Sequence, residues 1–361
     1  MSWDDCTGRL SDAEFRVAYR LNRQEFDDLL ARILETTPTF QRQRSTGIDA
    51  RLRLASCLRY LAGASWIDCA RLHGQAKSTF FLQFHETVNA IIATAEARTD
   101  WKNKDQLINL ERMCSRPGAG NGAFRGAVGF VDGIVFRTRR PAPGEVPNVR
   151  DMYCGRKRYW GIGVQAVCTA QLKFTVFAVT SGTNSHDSSA FAATEVGRLF
   201  STSENEGGVP DPYYLVGDAA YAGNRRVITP FTRRSYSRGT DEDTFNFIHS
   251  SKRMAIERAF GVLVRRWGIV WRKLEFTVRK NIKVLYALVV LHNICTLRRD
   301  HGEDVRLAHP DDSGRQPRDY QSVVEMFCYP PNSSSGRSTS SDERTRMIIA
   351  QALMDAGCFR P

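Results

Sequence analysis

Apolar residues along this 361-residue chain recur first at the spacing of helices and later at that of strands. From residue 11 to 97 the period is helical. Ser11 and Asn22 each precede an apolar-periodic run, and Glu14 and Glu25 follow them three residues later, the arrangement of a capping box. Leu29, Leu30, Ile33 and Leu34 give the second helix its apolar stripe, which Pro38 and the polar run 41–44 end. Another helix is predicted over 48–61, stopping near Gly63. Residues 65–92 then read as helix, a turn at His73-Gly74-Gln75, and helix. That is the layout of a helix-turn-helix, whose second helix enters a major groove. A plain helical hairpin packed in a core has the same pattern. On the first reading Lys77 and Ser78, at the start of the second helix, reach DNA phosphates.

Residues 98–125 are charged, then glycine-rich, and read as a linker. Short apolar runs follow. The first, 127–131, ends in Asp132-Gly133 and is continued by Ile134-Val135-Phe136. Strands are predicted at 159–168 and 174–179, a helix at 188–200 and a strand at 213–216 that ends in Gly217-Asp218. Residues 222–244 are basic and irregular. In the helix predicted over 245–270, Ile256, Phe260, Leu263 and Trp267 form one stripe at i, i+4, i+7 and i+11. A helix at 281–299 follows. Residues 301–341, poor in apolar side chains, read as mostly disordered, with a short helix at about 342–356 closing the chain. The order strand, strand, strand, helix, strand, helix predicts an α/β fold, a mixed sheet flanked by helices, behind an all-α N-terminal domain. The expected organisation is 1–97 helical domain, 98–125 linker, 126–300 sheet domain and 301–361 tail.

Composition leaves this picture standing: 42% hydrophobic and 25% charged residues are ordinary for a globular chain. The most apolar run, 284–291, is too short to cross a bilayer, so no membrane is expected. The acidic, polar N-terminus shows no signal peptide. Nine scattered cysteines without a CxxC pair suggest neither a disulfide framework nor a zinc knuckle, and reduced thiols in the cytosol or nucleus are the simplest account. No P-loop or dinucleotide fingerprint occurs.

Charge changes more. The chain carries +12, and residues 225–280 hold fourteen Lys/Arg against five Asp/Glu, a local 14 − 5 = +9. A basic concentration of this kind suits a nucleic acid, with Arg225, Arg226, Arg233, Arg234, Lys252, Arg265 and Arg266 as backbone contacts. The plain alternative is a solvated basic face. Charge alone does not separate DNA from RNA, so an RNA-directed nuclease stands as a third reading.

Within that basic stretch sits Glu257, one residue off the apolar stripe and therefore at the edge of the buried face, with Gly261 one turn on. Asp132 and Asp218 are expected at strand ends, where open α/β sheets place ligand groups. Three carboxylates from three elements, meeting on one side of a sheet, are hard oxygen donors suited to Mg²⁺ or Mn²⁺. Two such ions about 3.5–4 Å apart support phosphoryl transfer. Each carboxylate also has a plain structural reading: Asp132-Gly133 as a turn dipeptide, Asp218 as a loop cap, Glu257 as the i+4 partner of Arg253.

The residues that carry a family resemblance cluster here. Asn246, His249, Ser250, Arg253, Ile256, Glu257, Arg258, Phe260 and Gly261 fit an N-x-x-H-S-x-x-R-x-x-I-E-R-x-F-G pattern, and Leu291-His292-Asn293 follows. Val131-Asp132-Gly133, Gly217-Asp218 with Tyr221, and Ser185-His186-Asp187-Ser188 complete the set. Over about residues 11–300 the chain resembles DDE transposases of the PIF/Harbinger superfamily and their domesticated nuclease relatives. The resemblance implies an RNase H-like fold and an N-terminal helix-turn-helix-like domain. It implies Asp132, Asp218 and Glu257 as catalytic metal ligands, with His249, Arg253 and Arg258 orienting a carboxylate or holding phosphate. It also implies a two-ion Mg²⁺ or Mn²⁺ site, DNA as substrate, a homo-oligomer, a separate Myb-like DNA-binding partner and a nuclear location. Ile134 and Val135 stand where the family commonly has Thr-His, and Ala220 where Gly is usual before the Tyr. Asp187 is a rival acidic residue, but at a helix start an Asp is stabilising without any catalysis. The competing reading is a domesticated DNA-binding protein that does no chemistry.

Overall fold

The computed structural model describes residues 3, 7–41, 48–72, 74–114, 123–180, 182–183, 186–221, 226–232, 237–297 and 340–355. His73, and nearly all of the tail read as disordered, lie outside them. The chain forms two compact units. One comprises residues 1–97, 137–147 and 262–318, the other 98–136, 148–261 and 319–361.

The first unit is helical. Helices α1 (Asp12–Tyr19) and α2 (Arg23–Thr36) start at Ser11 and Asn22, and both capping boxes form. Each box satisfies two backbone donors that a helix start leaves open. Pro38 opens a short 3-10 turn, Pro38–Gln41. Helices α3 (Ala50–Leu61), α4 (Trp66–Leu72) and α5 (Lys77–Ala93) follow. Cys69 and Ala70 of α4 pack against Phe80 of α5, with Tyr60, Trp66 and Phe81 around them.

The second unit contains the sheet. Its strands are β1 (Ala127–Arg137), β2 (Tyr153–Cys154), β3 (Tyr159–Cys168), β4 (Phe174–Val179), β5 (Tyr214–Val216) and β6 (Val227–Ile228). The order is β2-β3-β1-β5-β6, with β4 also on β3. β3 pairs antiparallel with β2 and β4, whereas β5 runs parallel to β1 and β6 parallel to β5. This is the expected mixed sheet, compatible with an RNase H-like arrangement.

The sequence places a strand end at Asp132, and the structure corrects that. β1 runs unbroken through Asp132-Gly133, buried from Ala127 to Phe136. Ile134 and Val135 are apolar and fully buried, so the pleat continues instead of turning.

Between β4 and β5 lie α7 (Asp187–Ala192) and α8 (Glu195–Ser201). They occupy the span predicted as one helix, interrupted where Thr194 caps the second by accepting from Gly197 N at 2.9 Å. Helix α9 (Asp241–Arg266) buries Ile256, Phe260 and Leu263 of the predicted stripe, and Trp267 beyond its end is also buried. α10 (Val278–Leu297) follows in the helical unit, where it packs on α5. α11 (Ser340–Asp355) packs against β6 through buried Ile349, Ala350 and Leu353.

The stretch read as a linker also differs. Residues Lys104–Cys114 form a helix, α6. Asn103 caps it by accepting from Asp105 N and Gln106 N at 3.0 and 3.1 Å. Leu107, Leu110 and Cys114, at i, i+3 and i+7, are buried, Met113 packs partly buried beside them, and the other positions are charged or polar except for exposed Ile108. Only three of the five apolar side chains of this helix are fully buried, which makes a short periodic signal, yet Leu107 and Leu110 join Val128, Val131, Phe200 and Leu215 in one core. Leu107→Ala is expected to lower the stability of this unit by about 2–4 kcal/mol, the range for a truncated buried leucine. Urea unfolding followed by tryptophan fluorescence checks it, and a loss under about 0.5 kcal/mol, typical of an exposed site, would mean that α6 does not belong to the core.

Candidate active site

The register of β1 and β5 brings the first two carboxylates together. Phe130 pairs with Val216, the last rung of that parallel ladder. Asp132, still on β1, and Asp218, on the loop after β5, each lie two residues beyond it, where the paired strands stand about 4.8 Å apart. β5 ends at Val216, so past that rung the loop carrying Asp218 stands beside a strand that continues. Each aspartate is oriented by its own backbone: Gly133 N donates to Asp132 Oδ1 at 2.8 Å, and Ala220 N donates to Asp218 Oδ1 at 2.9 Å.

Glu257 comes from α9 in the same unit. Arg253, one turn earlier, forms the i+4 ion pair with Glu257 that the plain reading expects. The same guanidinium reaches across to β1, where its Nη1 lies 3.4 Å from Asp132 Oδ2. It therefore ties the third acidic residue to the first. Only 17% of the Arg253 side chain and 7% of the Asp132 side chain are exposed, so both charges are largely taken from water.

Electrostatics follow from this crowding. Burial pushes the Asp132 carboxyl well above the usual range, Arg253 pulls it back, and Asp218 and Asp187 push it further up. Burial also raises Asp218, again against Arg253. For Arg253 burial acts to lower the pKa, but Asp132, Glu257 and Asp218 outweigh it and raise it.

A brace behind the carboxylates was missed by the sequence. Gln165, buried on β3, donates from Nε2 to Asp187 Oδ1 at 3.1 Å and accepts from the Tyr221 hydroxyl. Tyr221 N in turn donates to Asp218 O at 3.1 Å. A methyl on Gly133 would stand 2.7 Å from Asp187 Oδ1 and 2.8 Å from Gln165 Nε2, so any larger residue there would displace one of these side-chain ends. Asp187 is buried and its pKa is pushed up to about 6, by burial first and then by Asp218. The available signal was Gln165 itself, a lone amide in the apolar run 159–168.

Among the described residues no group of three or more His, Cys, Asp or Glu side chains is disposed to hold a metal ion as it stands. The donor chemistry nevertheless fits a hard divalent cation. The carboxylates of Asp132, Asp218 and Glu257 interact electrostatically, and one cationic side chain already sits between two of them.

Other expected site residues are placed differently. His249 does not orient a carboxylate. It is buried, with Nε2 3.1 Å from the Ile228 carbonyl on β6 and its ring against the stacked pair Phe124 and Phe245. Burial lowers its pKa to about 4, so at neutral pH it is an uncharged anchor of α9 on the sheet. Arg226 is no phosphate contact either: β6 begins at the next residue, and its buried guanidinium is bonded to Pro210 O and Asp211 Oδ1, both at 2.9 Å. Arg266 is buried at the end of α9. The local +9 thus counts Arg226, Arg253 and Arg266, which the interior takes up. Arg258 is exposed, and Lys252 and Arg265 are half-buried, with Lys252 Nζ 5.6 Å from the Phe124 ring. Lys77 and Ser78 are exposed at the start of α5, with Lys77 Nζ 5.0 Å from the Trp66 ring. Arg225, Arg233 and Arg234 lie outside the described residues.

The buried His249 sets a pH test. Its folded pKa is depressed to about 4 from 6.5, so between those values the unfolded chain binds a proton that the folded one refuses. Stability contributed by the neutral ring is present above pH 6.5 and is lost as pH falls toward 4. In His249→Asn this loss should shrink by up to about 1.4 kcal/mol per pH unit, read from urea unfolding at several pH values across the window. An identical pH slope in variant and wild type would show that the imidazole titrates normally.

Residues 131–293 match a sequence model of the family described as DDE superfamily endonuclease. The matched segment takes in Asp132, Asp218 and Glu257 and supports a nuclease or transposase segment in general terms. Comparison with curated proteins and comparison with solved structures each gave no match.

Proposed function

We propose that this chain is a divalent-metal-dependent DDE nuclease or transposase of PIF/Harbinger type that cuts, and as a transposase also joins, DNA. The observation that carries the reading is the placement of Asp132 and Asp218 two residues past one rung of a parallel pair, with Glu257 joined to Asp132 through Arg253. The similarity of residues 131–293 to DDE endonucleases supports it.

In this reading Asp132, Asp218 and Glu257 hold Mg²⁺ or Mn²⁺. When bound, such ions activate a water or a 3′-hydroxyl and stabilise the leaving oxygen of a phosphodiester. The chain's own residues do the positioning. The Gly133 and Ala220 amides fix one oxygen of each aspartate, and fixing a ligand's rotamer keeps its geometry ready for reaction. The Gln165 and Tyr221 brace holds the Asp218 loop against β3. Half-burial of Glu257 restricts water around it. Exposed Arg258 of α9 takes DNA phosphates, and within the helical unit Lys77 and Ser78 do the same, mostly without base specificity. DNA as substrate, a nuclear location, a homo-oligomer and a separate Myb-like partner belong to the same proposal.

Two outcomes are expected. Glu257→Gln keeps size and helix propensity but removes a ligand charge. Cleavage of element-end DNA in Mg²⁺ or Mn²⁺ should fall by at least about 10²–10³-fold, the effect of losing several kcal/mol of metal-assisted stabilisation, while DNA affinity in EDTA holds. Equal cleavage by wild type and variant would reduce Glu257 to the helix partner of Arg253. A wild type that binds DNA and cuts none, with either ion, would favour the non-catalytic DNA-binding alternative. Second, DNA affinity should fall steeply with salt, with a log–log slope of about −0.9 per phosphate contacted. A flat titration would mean that the basic residues do not meet the backbone.

A further inference from the structure

We infer that Arg253 is a positioning residue that holds the cation's place in the carboxylate site, bridging Asp132 and Glu257 in the metal-free chain and leaving Asp132 when a divalent ion binds. The inference rests on the proposed function and deepens it, since it assigns how the site is kept assembled before metal arrives.

The geometry points to this role in three ways. First, one guanidinium joins two elements 121 residues apart in sequence, with Nη1 on Asp132 Oδ2 and Nη2 on Glu257 Oε1. A helix-surface ion pair needs no such reach, and Arg253 is largely buried while making it. Second, its single charge faces Asp132, Glu257 and Asp218, so the cluster keeps an excess of negative charge that a divalent ion would neutralise further. Third, Mg²⁺ takes oxygen ligands at about 2.0–2.1 Å in near-octahedral geometry. An ion seated on Asp132 would repel the guanidinium a few ångströms away, so the two cations compete for that carboxylate.

The two legs of the bridge are unequal. The Asp132 leg, at 3.4 Å, is long for a charge-assisted hydrogen bond, which is usually about 2.7–2.9 Å. The Glu257 leg is short and lies within one helix turn, so it survives small shifts of α9 against the sheet. Metal and Arg253 therefore compete chiefly for Asp132. Without the bridge only the packing of α9 on the sheet would set how near the Glu257 carboxylate comes to Asp132. With it, the ligands are already gathered and the ion replaces one contact.

The test uses the full chain stripped of metal with EDTA and titrated with Mn²⁺ in a calorimeter. Wild type should bind Mn²⁺, and Asp132→Asn should lose most of that binding. Arg253→Gln should bind Mn²⁺ more tightly than wild type, by about tenfold, equivalent to ~1.4 kcal/mol for the removed competitor. It should also melt lower than wild type in EDTA and gain more in melting temperature on Mn²⁺ addition. Arg253→Lys keeps the charge but cannot bridge two carboxylates with a planar fork, so it should fall between. If neither variant folds, a Mg²⁺-loaded crystal structure of wild type decides: Nη1 should have left Asp132 Oδ2.

Unchanged or weaker Mn²⁺ affinity in Arg253→Gln, or an intact Arg253–Asp132 pair beside a bound ion, would overturn the competing role. If Asp132→Asn still lost Mn²⁺ binding, the nuclease reading would stand without it. If wild type bound no Mn²⁺ and Asp132→Asn behaved identically, the metal reading and this inference would fall together.

Discussion

Carboxylates gathered in a partly dry site repel one another, and the structure around Asp132 depends on how that repulsion is offset. Two unit charges 4 Å apart interact by about 4 kcal/mol at an effective dielectric near 20, a large fraction of a domain's net stability. Asp132 is nearly fully buried, beside Asp218 and within reach of Asp187. Arg253 supplies the one cationic contact to Asp132 recorded among the described residues, and it does so from a helix that also carries Glu257. The ion pair thus offsets the carboxylates' mutual repulsion and links α9 to β1.

The sheet makes that crowding possible. β1 is long and buried on both faces, while β5 stops at Val216. The mismatch leaves Asp132 on a rigid strand and Asp218 on the loop that begins where its own strand ends. Behind them Gly133 leaves room for the ends of the Asp187 and Gln165 side chains, which a Cβ at that position would displace. His249, uncharged and bonded to β6, then fixes α9 to the sheet, so the depth at which Arg253 and Glu257 arrive is set by packing.

The departures from the family pattern acquire physical meanings. Ile134 and Val135, in place of Thr-His, are core residues of an uninterrupted strand. Ala220, in place of Gly, keeps the contact that matters, because its backbone amide holds Asp218 and no left-handed conformation is required there. Neither change removes a carboxylate.

The sequence by itself determined the local features. The two N-terminal capping boxes, the apolar stripe of α9 and the order of the main strands were legible, because each depends on side chains within a few residues of one another. The three carboxylates stood out at the end of short apolar runs and beside a stripe. What the tertiary structure decided is everything that depends on distant partners. Arg253 lies one turn from Glu257 in sequence, and only the sheet brings Asp132 to it. His249 reads as a site residue until the Ile228 carbonyl and two phenyl rings enclose it. Arg226 and Arg266 count as surface charge in the sequence but are buried in the fold, and α6 hides a core helix in a charged stretch because its buried apolar positions gain meaning only from the core they meet. Hydrophobic period and capping are short-range and therefore readable. Burial, pairing and the sharing of one cation among carboxylates are properties of the packed chain, since they depend on which groups exclude water together.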